Sequence, residues 1–403
     1  MACARAGKDA RRTPGNSRSH RAVLQSRKRS LARGTWHMAH GAWGLGLNAA
    51  QKPFVPWRHP FFSPMTSDNL LADWRQRALT LENALNAVMV GMPKPVRSVV
   101  VALFARGHVL LEGDVGVGKT TLLQALARGI GGGYQRIEGT IDLMPSDLIY
   151  YTQLGDDGRP RVLPGPLLAQ GEKLSVFFFN EINRARPQVH ALLLRLMAER
   201  TIAAFNREFE FAHLTVFADR NRVEREETFE LPAASRDRFL MEILIEAPTD
   251  RAHLEALMFD ARFHDTQALL SPVPEGLIDP AQLDGLASTL QHTISASPAL
   301  RHYGTELWLA TREPARYGVL LPEIEVEELM AAGAGPRGVA MLVRAARVHA
   351  WLEGRAAIVP EDLRTVFVDT IAHRLALQPV YEAQRAEIAR PLAAEILRRV
   401  AAP

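Results

Sequence analysis

The nine residues GDVGVGKTT at positions 113–121 restrict the folds open to this chain more than any other stretch. They spell G-x-x-x-x-G-K-[ST], a spacing suited to wrapping backbone around phosphate. Gly113, Gly116 and Gly118 remove side chains that would keep backbone N–H groups from converging on an anion, while Asp114, Val115 and Val117 complete the loop. Lys119 has the reach and charge for terminal phosphates. Thr120 and Thr121 open a helix, with the Thr120 hydroxyl a ligand for Mg²⁺. The flanks agree. HVLLEG (108–113) is an apolar run fit for a buried strand, and KTTLLQALARGI (119–130) has helical spacing through Leu122, Leu123 and Leu126. Such a helix aims its positive end at the anion. The competing reading, a glycine-rich turn that binds nothing, leaves this order of strand, loop, lysine and helix unexplained.

At 403 residues, 47% of them hydrophobic, the chain has material for two domains with cores. No apolar run is long enough for a membrane span. Cys3 is the only cysteine, so there is no internal disulfide and no Cys-based zinc site; this fits a reducing, cytoplasmic setting. The net charge of +4 is unevenly spread. Of 48 basic and 44 acidic residues, twelve basic and one acidic (Asp9) fall in residues 1–64, leaving 36 and 43 for the remainder. A body with net charge −7 argues against nucleic-acid binding. The basic extension 1–64 reads as disordered. It is open to three readings: a transit peptide, an anion-binding arm, or sequence upstream of a natural start at Met65.

From Ser67 or Asp68 a capped amphipathic helix runs through Leu70, Leu71, Trp74, Ala78, Leu81 and Leu85, and a second spans about Pro95 to Phe104. Between them VMVGMP (88–93) is either a helix connector or, with Val90 and Gly91, a wall for a nucleotide base. A second strand lies within 131–140. Residues 141–173 read as a long Pro- and Gly-rich loop of functional character. LSVFFFNEI (174–182) is a third buried strand ending in Asn180 and Glu181. In phosphate-loop enzymes such a strand ends in two acids, one holding Mg²⁺ through water and one polarising the attacking water. Glu181 keeps the second role. Asn180 hydrogen-bonds a metal-bound water but adds no charge. A helix at 186–200, a hairpin around Asn206, strands at 214–221 and 239–248, and a helical remainder complete the α/β reading. Arg337, in the first turn of a helix opened by Pro336, opposes the helix dipole and therefore suggests a facing anion.

GHVLLEGDVGVGKT (107–120), DLMPSDL (142–148), PGP (164–166), NEINRA (180–185), ADRN (218–221), LPAASRDRF (231–239) and GPRG (335–338) together resemble the MoxR family of AAA+ ATPases. The wording near NEINRARPQ and FADRNRVEREETFELPAASRDRF is most similar to the branch associated with methanol dehydrogenase maturation. The resemblance implies an AAA+ core with a five-stranded parallel sheet at 65–248 and an all-α lid with C-terminal helices at 249–403. It also implies ATP and Mg²⁺ as ligands, Mg²⁺ near Thr120 and Asn180, and a ring, usually a hexamer. Glu181 takes the base role, Asn221 that of first sensor, Arg238 (with Arg236 as rival) that of arginine finger, and Arg337 that of second sensor. The 141–173 loop and the 199–213 hairpin match inserts that face a partner. Asn180 in place of the usual Asp departs from the family pattern, as do Asp219, Arg220 and Arg222 beside the sensor. Read without the resemblance, Asn221 has an alternative as a strand cap, Arg238 as a surface ion-pair residue and Arg337 as a partner for Glu361 or Asp362.

Three functions follow as expectations. The first is an ATP-driven chaperone that remodels or metal-loads a partner, often a von Willebrand factor A domain protein and here plausibly methanol dehydrogenase components. The second is a nucleotide-gated scaffold, slow to hydrolyse because of Asn180. The third, a DNA motor, is disfavoured by the acidic body.

Overall fold

A strand covered on both faces reads as a largely apolar run, and four such strands, with the more polar edge strand Gly133–Glu138, form the central sheet of the computed structural model. β1 (His108–Gly113), β2 (Gly133–Glu138), β3 (Leu174–Asn180), β4 (Thr215–Arg220) and β5 (Phe239–Ile245) are all parallel, in the order β2-β3-β4-β1-β5. The structure describes residues 67–221 and 229–403. The basic extension, the expected start at Met65, and Arg222 lie outside the described residues.

Alternation along β3 sends its three phenylalanines to opposite sides. Phe178 joins a core with Val176, Leu111 and Phe217, while Phe177 and Phe179 join a second with Leu110 and Val216. The first core is closed by α1 (Ser67–Val88), α2 (Pro93–Phe104) and α3 (Lys119–Gly129). The second is closed by α4 (Pro187–Glu199), whose Val189, Leu193 and Leu196 recur at helical spacing, and by a hairpin of Thr201–Ala204 with Arg207–Glu210. That hairpin turns at Phe205 and Asn206, both at positive φ (52° and 57°), as a two-residue loop requires.

Residues 141–173 are more ordered than the Pro and Gly content suggested. A short helix (Pro145–Ile149) leads into a hairpin of Tyr150–Leu154 with Pro160–Pro164. Its prolines sit at strand ends, where the lost N–H removes no internal ladder bond. Tyr150 touches Phe205 of the other hairpin, ring centroids 6.2 Å apart.

The C-terminal region is helical: α5 (Pro280–Thr293), α6 (Pro298–Arg312), α7 (Pro336–Leu352), α8 (Pro360–Ile371) and α9 (Arg385–Arg399). A two-stranded element of Met330–Ala332 with Ala376–Leu377 was too short to announce itself in the sequence. This region covers the free edge of β5. Arg374 donates to the Leu240 carbonyl at 3.2 Å, Arg390 to that of Glu242 at 3.0 Å, and His373 Nε2 lies 3.1 Å from that of Phe239. An edge strand with unpaired backbone groups is thereby closed to foreign strands.

His108 ties the sheet to α4. Its Nδ1 accepts from the Val216 N–H at 3.0 Å and its Nε2 donates to the Met197 carbonyl at 3.2 Å, so the neutral tautomer satisfies both bonds. Complete burial holds its pKa down to about 3, and burial also lowers those of His190 and His373. A folded pKa below the unfolded value means stability present above pH 6.5 and lost as pH falls toward 3. Urea unfolding measured from pH 7 to pH 4 is expected to show stability falling with acid. His108→Gln, which carries one donor and one acceptor but does not titrate, is expected to remove one proton's worth of that slope, about 1.4 kcal/mol per pH unit.

Candidate functional site

The carboxyl ends of β1, β3 and β4 converge, as expected where a ligand crevice forms in a parallel sheet. The loop after β1 ends at Gly118, which has φ 90° and caps α3; a side chain there would be strained in this left-handed region. Lys119 therefore turns back into the loop. Its ammonium donates to the Gly113 carbonyl (2.6 Å), the Asp114 carbonyl (3.3 Å) and Asn221 Oδ1 (2.6 Å), and it lies 3.5 Å from Asp219 Oδ2. Only 7% of Lys119 is exposed.

Asn221 uses its other end on Glu181: Nδ2 donates to Glu181 Oε1 at 3.2 Å. Glu181 sits at φ 52°, a left-handed conformation costing a non-glycine residue roughly 1–2 kcal/mol. Its peptide N–H is anchored by Asp219 Oδ1 at 2.6 Å, and its Oε2 pairs with Arg184 at 3.1 Å. Asn180 is buried, and its amide Nδ2 donates to Glu138 Oε1 at 3.4 Å. Lys119, Glu181 and Asn221 thus form one network. Thr120 and Thr121 lie in the first turn of α3, partly buried, while Asp114, Val115 and Gly116 form the exposed crest of the loop.

Asp219 belongs to that network, and sequence reasoning treated it only as an unusual charge beside the sensor position. The available signal was a carboxylate closing an apolar strand, one strand away from an amide in an acid's usual place. Burial raises its pKa, with the Glu181 N–H and Lys119 pulling it back. Arg220, the next residue, points elsewhere and bridges Glu112 (3.4 Å) and Glu242 (3.3 Å). Burial opposes its charge, but Glu242 and Glu112 outweigh burial and raise its pKa.

Beside the loop lies an apolar recess of ≈ 220 Å³ lined by Met89, Val90, Val117, Pro248, Leu257 and Phe263, among others. Gly91 lies between the lining residues Val90 and Met92 at φ 76°, where a side chain would be strained and its Cβ would come within 2.8 Å of both Pro248 and His253.

The arginines expected at the site do not join the network. Arg236 is buried and paired with Glu382 at 2.9 Å. Among the described residues Arg238, half-buried, donates only to the Ala234 carbonyl (2.7 Å), and its Nε finds no partner there. Arg337 pairs with Asp237 at 2.9 Å, and Asp237 also receives Arg374 at 3.1 Å. The anion that Arg337 faces is therefore Asp237. Asp362 is instead taken by Arg355 and His349. Among the described residues no contact links Arg238 or Arg337 to the phosphate loop.

The donor set suits a nucleotide with Mg²⁺: a loop at a helix N-terminus, an ammonium, a threonine hydroxyl and inward-facing carboxylates. Among the described residues no group of three or more His, Cys, Asp or Glu is placed to hold a metal by itself.

Comparison with known proteins agrees. Residues 108–241 match the ATPase family associated with various cellular activities (AAA), and residues 323–398 match the AAA lid domain. The chain is 59% identical to Protein MoxR of Methylorubrum extorquens over 83% of this chain and 98% of that one. It is 55% identical to Protein MoxR of Paracoccus denitrificans (79% and 94%) and 32% identical to Chaperone MoxR1 of Mycobacterium tuberculosis (80% and 82%). A crystal structure of a candidate ATPase from Cytophaga hutchinsonii superposes with a TM-score of 0.67 at 28% identity, covering 82% of this chain and 96% of that one. With the five-stranded parallel sheet, the AAA and lid matches and these relatives in place, the chain belongs to the MoxR family of AAA+ ATPases.

Proposed function

We propose that this protein binds and hydrolyses ATP at the ends of β1, β3 and β4 and uses the cycle to remodel or assist maturation of a protein partner. The observation that carries this reading is the Lys119–Asn221–Glu181 chain, in which a buried cation, a neutral amide and a carboxylate stand in line behind the phosphate loop. The loop spanning Gly113, Asp114, Val115, Gly116, Val117 and Gly118 offers N–H groups to the β- and γ-phosphates, and Lys119 transfers its hydrogen bonds from Asn221 to them. Thr120 and the strand-end residues, Asn180 included, hold Mg²⁺, which when bound neutralises charge on the phosphate oxygens. Thr121 and the recess by Val90 and Gly91 receive the nucleoside.

Glu181 takes a proton from the attacking water, and Asn221 orients that water once Lys119 has moved. Charge then grows on the γ-phosphate, and a guanidinium supplied by a neighbouring subunit stabilises it. Arg238 suits this role better than Arg236, because Arg236 is already buried on Glu382 of its own chain. Arg337, joined to Asp237 one residue before Arg238, couples the lid to this edge. The proposed assembly is a ring, with six subunits as the family's usual form, and the domains are 65–248 for the nucleotide and 249–403 for the lid.

The partner reading rests on the two hairpins. Tyr150, Tyr151, Leu154, Val162 and Phe205 are 42–72% exposed on them, an apolar surface suited to contact with another protein. Methanol dehydrogenase components, reached through a von Willebrand factor A domain protein, are the proposed clients, in the cytoplasm. The name that the Methylorubrum and Paracoccus relatives carry supports the branch.

Steady-state ATP hydrolysis tests the chemistry. Lys119→Ala is expected to abolish binding and turnover; an unaffected rate contradicts the site. Glu181→Gln is expected to retain ATP binding while kcat falls by about 10²–10⁴. Arg238→Ala is expected to lower kcat by about 10³ or more. Mixing Arg238→Ala with Glu181→Gln subunits should restore part of the rate, because some interfaces then hold both an intact base and an intact finger. Arg236→Ala is expected chiefly to lower the melting temperature.

A further inference from the structure

We propose that Asp219 supplies, from β4, the carboxylate that Asn180 lacks at the end of β3. The inference rests on the nucleotide-site reading above and identifies the acid of that site. Phe179 pairs with Ala218 across β3 and β4, so Asn180 and Asp219 are the next residues out of the sheet, side by side. Alternation gives them the same face. Phe178 and Phe217, each two residues earlier, both pack into the core that α3 closes. Neighbouring strands lie about 4.8 Å apart. A carboxylate on Asp219 is thus displaced by one strand spacing from the end of β3, toward Lys119, and remains on the side of the phosphate loop.

Its contacts fit the role. Asp219 is 2% exposed, with one oxygen 3.5 Å from Lys119 Nζ and the other held by the Glu181 N–H at 2.6 Å. This second bond fixes the carboxylate relative to the backbone of Glu181. When Lys119 moves to the phosphates, a buried carboxylate loses its cation, and burying an unpaired charge is strongly unfavourable. A divalent cation bound with the nucleotide would supply the positive charge that Asp219 then lacks. Asp219 therefore exchanges Lys119 for the metal as ATP enters.

The same geometry explains the amide of Asn180. Its Nδ2 donates to Glu138 Oε1 at 3.4 Å, a bond that an ionised aspartate cannot make. An aspartate in place of Asn180 would face Glu138 and stand beside Asp219, placing three carboxylates together. The pair Asn180 and Asp219 functions as one carboxylate and one amide on adjacent strands, and exchanging them should preserve the site.

The test is ATP affinity of the full chain with Mg²⁺ and with EDTA, read as the ratio of the two dissociation constants. Asp219→Asn is expected to shrink the advantage given by Mg²⁺ by about 10–100-fold, as loss of a metal-site carboxylate does. Asn180→Asp alone is expected to leave that advantage unchanged or to reduce it. The exchange Asn180→Asp/Asp219→Asn is expected to restore it, which a merely structural role for Asp219 does not allow. An undiminished advantage in Asp219→Asn overturns the proposal. So does an increased one in Asn180→Asp alone, a variant that keeps the test decisive if Asp219→Asn does not fold, and so does failure of the exchange to rescue. Lys119→Ala separates the two readings. If it binds ATP like the wild type, the nucleotide site itself is wrong; if it does not, the Asp219 results stand on their own.

Discussion

A lysine ammonium buried at the end of the central sheet is the constraint around which this structure is built. At 7% exposure Lys119 needs its charge compensated, and it takes two loop carbonyls, the Asn221 amide oxygen and the Asp219 carboxylate. Each of those groups is held by something else. Asn221 is tied to Glu181, and Asp219 holds the Glu181 backbone in a conformation that a non-glycine residue rarely adopts. The cation therefore sets the positions of three strand ends at once. A ligand that takes Lys119 away releases Asn221 and Asp219 together, so binding is coupled directly to the rearrangement of Glu181's neighbours.

From that network, side-chain bonds run outward along β4 and β5. Arg220, immediately between Asp219 and Asn221, spans Glu112 of β1 and Glu242 of β5, so the charged end of β4 is fastened to both strands on its far side. β5 in turn carries Arg390 and Arg374 on its free edge, and Asp237 at its start holds Arg374 and Arg337. The lid helices are thus bonded to the strand that begins beside Arg238. Buried arginine contacts of this kind are directional, and they favour movement of the region as a body over gradual deformation.

Much of this was legible in the sequence because buried parallel strands and phosphate loops leave strong local signals. LSVFFFN and HVLLEG could be nothing but covered strands, and GDVGVGKTT fixed the point where the ligand crevice opens. The links from Lys119 through Asn221 to Glu181 join residues up to 102 positions apart; phosphate-loop chemistry pointed to Glu181, and only the family resemblance added Asn221 to the site. Asp219 was visible as an oddity but not as a member of the site, because its partner across the strands, Asn180, is 39 residues away and register is not a local property. The hairpin at 150–164 was hidden for a different reason. Its strands are exposed on both sides and bracketed by proline, so they lack the alternation that betrays a half-buried strand. Arg337 showed that it needed an anion, but Asp237, a hundred residues earlier, was out of reach of any sequence spacing.

In the proposed cycle Lys119 rests on Asn221 and Asp219 only until nucleotide arrives. The most direct measurement is a structure of the full chain with Mg²⁺ and a slowly hydrolysed ATP analogue. The account predicts phosphates in the 113–121 loop, the Lys119 ammonium on them and no longer on Asn221, and Asp219 turned toward the metal's water shell. A nucleotide bound elsewhere, or Lys119 still hydrogen-bonded to Asn221 with the loop filled, would contradict it.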